Sequence, residues 1–307
     1  MSSVPVLIRL LASSVSVANR AGKIVRDVMS KGELGIVEKG KDDYQTEADR
    51  SAQRCIIASL SAQYPKINII GEEDGNQIQD SNEYLVMDSD QEILAINCPE
   101  SLKGVEEKDI VVWVDPLDGT AEYTQGFLEH VTVLIGISVN ERPVAGVIHQ
   151  PYYKNVVGSD KIIGRTIWGL QEVGVGGFTL APPPDSLVIT TTRSHSNAIV
   201  ENALQVMNAQ QILRVGGAGY KVLQLLEGKA SIYVFASPGC KKWDTCGPEA
   251  ILSAAGGKLT DILGNHYKYG ASESRPNKTG VLAAVYEDLH SYALSRIPQE
   301  LKDELAK

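Results

Sequence analysis

Asp115 and Asp118 stand three residues apart in the run Trp113-Val114-Asp115-Pro116-Leu117-Asp118-Gly119-Thr120. A β-branched stretch over residues 110–114 leads into them, and Pro116 and Gly119 bend the chain as it leaves. A strand end that turns in this way can aim both carboxylates, and the Leu117 carbonyl between them, at one point in space. Hard cations such as Mg²⁺ take oxygen ligands of this kind. Taken alone, the segment fits an ordinary polar turn equally well, because Asp, Pro and Gly are common in turns.

Two more acid-bearing ends lie far away in sequence. Ile69-Ile70-Gly71-Glu72-Glu73 again runs from an apolar strand into clustered carboxylates. Asp244 follows Trp243 at the start of a helical pattern over residues 245–255, where a plain N-cap is the simpler reading of that residue by itself. Together, three such ends could converge on two or more metal ions. Two ions about 3.5–4 Å apart would clamp a phosphate oxygen, activate a water and stabilise the leaving oxygen. Asp49 and Thr120 could supply the remaining part, since a Thr hydroxyl held by a carboxylate can take a proton and hand on its own. Each also has an ordinary explanation, Asp49 in a first helical turn and Thr120 closing a turn.

The second half offers a different chemistry. Leu213-Arg214-Val215-Gly216-Gly217-Ala218-Gly219-Tyr220-Lys221 reads as strand, glycines and helix start, an arrangement that presents backbone N–H groups to an anion. It misses the G-x-G-x-x-G spacing and the strand-end acid of a dinucleotide site, so it reads as a substrate wall near a phosphate or ribose. Thr191-Thr192-Arg193-Ser194-His195 is another strand-to-helix junction, in which a lone His195 is most often a cap or a core residue. Lys241 and Lys242 read as a solvated basic pair whose position also allows a phosphate contact. No Ser-His-Asp or Cys-His order stands out, and the absence of His-rich spacing argues against zinc.

These residues need elements to position them. Helices are predicted over residues 6–29 and 46–62, the second opening on Thr46 with Asp49 three residues on. A short strand follows at 67–70, then an acidic, weakly patterned excursion over 74–108. Strands at 131–139 and 143–148 flank the turn Asn140-Glu141-Arg142, with further strands at 166–170 and 177–180. The prolyl cluster Ala181-Pro182-Pro183-Pro184-Asp185 is the candidate linker. Beyond it, strands at 187–192, 212–215 and 231–236 alternate with helices at 196–207, 220–227 and 244–255, before a closing strand and helix. That rhythm predicts an open α/β layer after an α+β first half. The expected division is an α+β subdomain over 1–183 carrying most metal ligands and an α/β subdomain over 184–307.

The 307 residues suffice for one large domain or two closely packed ones. Apolar residues make up 43% and charged residues 22%, ordinary for a globular chain. No apolar run approaches the ~18–20 residues that cross a bilayer, and the opening stretch reads as an amphipathic helix rather than a signal peptide. Cys55, Cys98, Cys240 and Cys246 form no CxxC pair, which favours reduced thiols in a cytoplasmic protein. A net charge of −9 without a basic stripe argues against nucleic-acid polymers. An acidic chain that handles phosphate would need local cations, and bound divalent metals supply them.

Gly71-Glu72-Glu73, then Asp115 to Thr120, then Trp243-Asp244 resemble the three-part signature of the lithium-sensitive, magnesium-dependent phosphatase superfamily. Inositol monophosphatases, inositol polyphosphate 1-phosphatases, fructose bisphosphatases and 3′-phosphoadenosine 5′-phosphate phosphatases belong to it. Residues 111–124, 190–197, 214–221 and 227–249 are similar to the 3′(2′),5′-bisphosphate nucleotidases within it, most specifically from Glu227 to Ser231 and on from Tyr233 to Cys246. The resemblance implies a layered αβαβα sandwich. It implies two or three Mg²⁺ per site, held by Glu72, Asp115, Asp118, Asp244 and the Leu117 carbonyl. Asp49 and Thr120 would activate the attacking water. Thr192, His195, Gly217 and Lys221, with Thr120 and Asp244, would line a small nucleotide bisphosphate.

The implied reaction converts adenosine 3′(2′),5′-bisphosphate to AMP and phosphate by in-line attack, is inhibited by Li⁺, and extends to 3′-phosphoadenylyl sulfate and inositol 1,4-bisphosphate. No covalent phosphoenzyme is expected, because the motifs offer no activated Ser, Cys or His. The rival reading is an inositol monophosphatase or inositol polyphosphate 1-phosphatase with the same metals; a Ca²⁺-binding protein and a nicotinamide enzyme are more remote. Ala121 stands where such relatives carry Lys, and Gly247 where Ala is usual, departures that bear on substrate preference and helix stability. Residues 76–105 match poorly. A monomer away from membranes is the expected form.

Overall fold

The computed structural model describes residues 4–40, 43–73, 85–153 and 164–306. Apolar residues at helical spacing form α1 (Val6–Lys31), which ends where Gly32 turns left-handed and returns its N–H to the Met29 carbonyl. A ribbon of β1 (Val37–Gly40) and β2 (Asp43–Gln45) precedes α2 (Glu47–Gln63). Thr46 caps α2 as expected: its hydroxyl accepts from the Ala48 N–H while Asp49 accepts from the Thr46 N–H. Then come β3 (Asn68–Gly71), the short α3 (Gln91–Leu94) within the acidic excursion, and β4 (Ile110–Asp118). Residues 74–84 of that excursion lie outside the described residues. The first half closes with α4 (Thr120–Gln125), β5 (Thr132–Val139), β6 (Arg142–Gln150), β7 (Arg165–Leu170) and β8 (Gly174–Gly176).

Strands β3-β4-β5-β6-β7-β8 form one sheet in that order, with β3 parallel to β4 and the other pairs antiparallel. Two expectations need correction. The strand predicted at 177–180 is absent; β8 lies just before it, and at Gly177 (φ +84) the chain turns away past the Thr166 carbonyl. The strand predicted to stop at 114 instead continues through the acidic motif to Asp118.

The second half contains β9 (Val188–Thr192), α5 (Ala198–Gln205), β10 (Gln211–Val215), α6 (Ala218–Leu226), β11 (Ile232–Phe235), β12 (Cys240–Lys241) and α7 (Lys242–Ala254). It ends with β13 (Lys258–Thr260), β14 (Pro276–Asn277), β15 (Val281–Ala284), α8 (Glu287–Arg296) and α9 (Gln299–Leu305). The second sheet, β10-β9-β11-β15-β13, is mixed rather than wholly parallel, because β15 runs antiparallel to both β11 and β13. The step from β9 out to β10 and back across to β11 puts α5 and α6 on opposite faces if both crossovers are right-handed. The prolyl cluster lies in the coil between β8 and β9, where Ala181 donates to the Leu226 carbonyl.

Five layers result. Helices α1 and α2 cover one face of the first sheet, α7 lies across the other with α6 beside it, the second sheet follows, and α5 and α8 close the far side. One apolar core sits beneath α1 and α2; the other lies between the sheets, where Trp113, Leu134 and Ile148 meet Ile189, Val234 and Leu282.

Glycines let α7 sink onto the first sheet. Gly136, Gly146 and Gly169 are neighbours in register on β5, β6 and β7. A Cβ at Gly146 would lie 2.3 Å from the Gly247 carbonyl oxygen, and one at Gly136 would lie 2.5 Å from the Gly247 nitrogen. The departure at Gly247 therefore falls where helix and sheet backbones touch. Gly146→Ala is expected to destabilise the protein by about 3 kcal/mol through overpacking against backbone. Denaturant unfolding would measure this, and an unchanged midpoint would show that α7 can lift away freely.

Candidate active site

The carboxyl ends of β3, β4, β9 and β10 and the start of α7 border a cavity of about 370 Å³ between the two sheets. Glu72 extends the parallel ladder by donating its N–H to the Val114 carbonyl, and its side chain lines the cavity. Lys39 on β1 reaches Glu72 at 3.3 Å and both Glu73 oxygens at 3.1 Å. Glu73 is thus held by the ribbon, leaving Glu72 as the acid at this strand end that lines the cavity.

A bulge shapes the next pair. Asp115 faces Leu134 but Asp118 faces Thr132, so β4 carries one extra residue between them. Bulges tolerate proline and re-aim side chains, which explains how Pro116 sits inside a strand. The Asp115 carboxylate accepts from the Leu117 N–H at 3.0 Å. Asp118 accepts from the Thr132 hydroxyl at 2.6 Å and from the Ala218 and Gly219 N–H groups at 2.8 Å each. This corrects the expectation for the glycine loop: two of its N–H groups are taken by a protein carboxylate, not left for a substrate anion. A third, on Gly216, donates to His130 Nδ1. Gly217 lines the cavity at φ +70, where a Cβ would lie 2.6 Å from the His130 carbonyl oxygen.

Asp244 is not the N-cap expected of it, because α7 already begins at Lys242 with Lys241 as its cap; it is a first-turn residue that lines the cavity. In the first turn of α7 it accepts from the Lys241 N–H at 2.6 Å, and its side chain lines the cavity. Burial pushes the Asp115 carboxyl well above the carboxylate range, and Glu72, Asp118 and Asp244 push it further. Burial, then Glu72 and Asp118, raise Asp244 to about 7. Glu72 and Asp118 are likewise raised, burial being the largest cause, with Lys39 opposing at Glu72 and Thr132 at Asp118.

Such a cluster of acids calls for cations, and its donors are all oxygen. Among the described residues no three His, Cys, Asp or Glu side chains close on one point tightly enough to hold an ion unaided. The all-oxygen lining, from Glu72, Asp115, Leu117, Asp118 and Asp244, suits a hard cation such as Mg²⁺ rather than a metal that takes thiolate or imidazole ligands. The donor set therefore fits the expected group.

The expected proton-handling pair is in contact. Thr120 Oγ1 donates to Asp49 Oδ1 at 3.0 Å and lies 3.1 Å from the Leu117 carbonyl oxygen. Asp49 is fully buried, and its other oxygen accepts from the Thr46 N–H at 2.7 Å. Burial raises its carboxyl to about 7; hydrogen bonds from Thr46 oppose the rise, while Glu72 and Glu73 add to it.

Thr192, His195 and Lys221 line the opposite wall. Thr192 Oγ1 accepts from the His195 N–H, and the exposed His195 is neither a helix cap nor a core residue. Lys221 is buried, donates to the Gly217 carbonyl at 2.9 Å, and lies over the Tyr233 ring. The basic pair splits. Lys241 lines the cavity, whereas Lys242 is buried against the Tyr267 and Tyr269 rings and is not a solvated surface charge. Sequence reasoning missed Tyr44, Phe235 and Cys240 in the wall and Thr132 behind Asp118. Only strand register could have revealed Thr132, which faces Asp118 across the bulge.

All four cysteines are free and buried. No helix among the described residues is long and apolar enough to cross a membrane.

Residues 8–301 match the inositol monophosphatase family. Over 307 residues the chain is 53% identical to the 3′(2′),5′-bisphosphate nucleotidase 1 of Homo sapiens, covering 99% of each. It is 52% identical to that of Rattus norvegicus, again over 99% of both. The structure of an IMPase from Thermotoga maritima superposes with a TM-score of 0.66 at 20% identity, covering 95% of this chain and 97% of that one, which establishes the shared fold. The chain belongs to the inositol monophosphatase family.

Proposed function

We propose that this chain hydrolyses the 3′ (or 2′) phosphate of adenosine 3′(2′),5′-bisphosphate, releasing AMP and phosphate. The observation that carries the substrate is the 53% identity to a named nucleotidase along 99% of both chains. The buried acids around the cavity support the reaction type. Glu72, Asp115, Asp118, Asp244 and the Leu117 carbonyl would hold two or three Mg²⁺. Bound there, the ions would neutralise the phosphate oxygens and lower the pKa of a water so that it attacks as hydroxide.

The chain's own groups do the rest. Thr120 Oγ1 stands where it can accept the water's proton while passing its own to Asp49 Oδ1. A carboxyl raised to about 7 is a well-matched acceptor near neutral pH. Asp118 has its oxygens oriented by Thr132 and the α6 N–H groups, so a ligand there needs little reorganisation. Thr192, His195, Gly217 and Lys221 would form the nucleotide wall, with Thr120 and Asp244 at the phosphate. The same site would accept 3′-phosphoadenylyl sulfate and inositol 1,4-bisphosphate and be inhibited by Li⁺. Four buried free thiols support a cytoplasmic setting, and we favour a monomer.

Phosphate release with Mg²⁺, with and without Li⁺, tests this reading. The nucleotide is expected to exceed inositol 1-phosphate in kcat/KM by at least about 10²-fold, a lower bound on the roughly 10⁴–10⁵-fold reached when the wrong substrate leaves a site's polar groups unpaired. A preference for inositol monophosphate would replace the substrate assignment, and no release from either would overturn the reaction.

A further inference from the structure

Arg193 joins the two halves of the site without lining the cavity. It follows β9, and its N–H donates to the Val215 carbonyl, extending the ladder between β9 and β10. Its guanidinium crosses to the first half, where Nη2 lies 3.2 Å from Glu122 Oε1 and 2.8 Å from Gln125 Oε1, both on α4. The guanidinium carbon also lies 4.2 Å from the centre of the Phe127 ring. Glu122 is almost wholly buried, yet it reaches the cavity wall beside Thr120 and packs under Gly216, where a Cβ would fall 2.0 Å from its Cδ.

Two consequences follow from this geometry. The residues after Arg193 bring Ser194 and His195 to the cavity, and their side chains bond within their own half: Ser194 to His195, Ser196 to Glu201, and Asn197 to Ser237. Among the described residues of this loop, Arg193 is the side chain that hydrogen-bonds to the helix carrying Thr120. Without Arg193, Glu122 would lose its ion-pair partner and stand beside a doubly charged phosphate with the longer-range field of buried Lys221 to offset it. Thr120 is fixed separately by Asp49 and Leu117, so loosening the loop should leave proton handling largely intact.

We propose that Arg193 is a positioning residue that fixes the His195 wall against α4 and cancels the Glu122 charge at the edge of the phosphate site. This rests on the phosphomonoesterase reading only in taking the ligand to be a phosphate ester. Steady-state kinetics on adenosine 3′,5′-bisphosphate, calorimetric binding of AMP, and thermal unfolding of each variant test it.

Arg193→Leu is expected to raise KM and the AMP dissociation constant about tenfold while kcat stays within about threefold, the signature of lost ligand binding rather than lost chemistry. Arg193→Lys should recover part of the loss, since it keeps the charge but not the planar grip on Gln125 and Phe127. In a Glu122→Gln background the effect of Arg193→Leu should shrink, because the charge it cancels is gone. Should Arg193→Leu fail to fold, Arg193→Lys and Glu122→Gln carry the same comparison. An unchanged KM, or an equal Arg193 effect with and without the Glu122 charge, would overturn the proposal. If wild-type protein turns over only inositol phosphate, the substrate assignment fails and the same comparison is made on that ester.

Discussion

Asp49→Asn is expected to lower kcat by about 10²–10⁴, the usual contribution of a positioned proton acceptor, with KM little changed. The reason lies in which bonds an amide can reproduce. One Asp49 oxygen accepts from the Thr46 N–H and the other from Thr120 Oγ1. The asparagine carbonyl can replace only one of them. Facing Thr46, it keeps the cap of α2 and turns its NH₂ toward Thr120, so the Thr120 hydroxyl has no carboxylate to receive its proton. The fold should survive, since a neutral amide replaces a carboxyl that burial already pushes toward its neutral form. Thr120→Val should lose a comparable factor, and the double variant little more than either alone, because residues acting as one unit are not additive. Thr120→Ser should retain most activity. A kcat for Asp49→Asn within threefold of wild type at saturating Mg²⁺ would remove the pair from the mechanism.

How much of this was readable beforehand depends on where each residue's partners lie. The Thr46–Asp49 cap is local, three residues apart on one helix, and periodicity located it. The acids at the ends of β3 and β4 were visible because a β-branched run followed by carboxylates is itself a signal. Thr120 could be proposed, but its bond to Asp49 spans 71 residues and depends on tertiary packing. The glycine loop misled for a similar reason. Its N–H groups do face an anion, but the anion is Asp118, about 100 residues earlier in the chain. Lys242 reads as surface charge until Tyr267 and Tyr269 fold over it. The bulge in β4 is likewise a property of pairing: nothing in Asp115 to Asp118 alone says that Thr132 will face the second acid.

Metal-free protein should lose stability between pH 6.5 and 8, and Mg²⁺ should reverse that loss. Asp49 and Asp244 have carboxyls raised to about 7, against roughly 4 in an unfolded chain. From about pH 4 up to 7 the folded state therefore holds protons that the unfolded state has released, and stability falls as pH rises through that window. The part lost between 6.5 and 8 is on the order of 1–2 kcal/mol for the two groups together. The raised Asp115 carboxyl acts in the same direction. His130, His149 and His290, all lowered by burial, act oppositely up through the ordinary histidine range and offset part of the loss near pH 6.5, which sets the lower bound. Lys221 and Lys242, also lowered by burial, oppose it toward the alkaline side, which sets the upper bound. Mg²⁺ needs the carboxylates ionised, so its binding competes with these protons and strengthens as they leave. The rise in Tm on adding Mg²⁺ should accordingly be larger at pH 8 than at 6.5. Asp244→Asn removes one of the two titrating acids while its amide oxygen can still accept from Lys241, so it should flatten the metal-free slope and reduce the Mg²⁺ shift together. A metal-free Tm that climbs across this window, with a Mg²⁺ shift independent of pH, would mean that the buried acids are not where the ions bind.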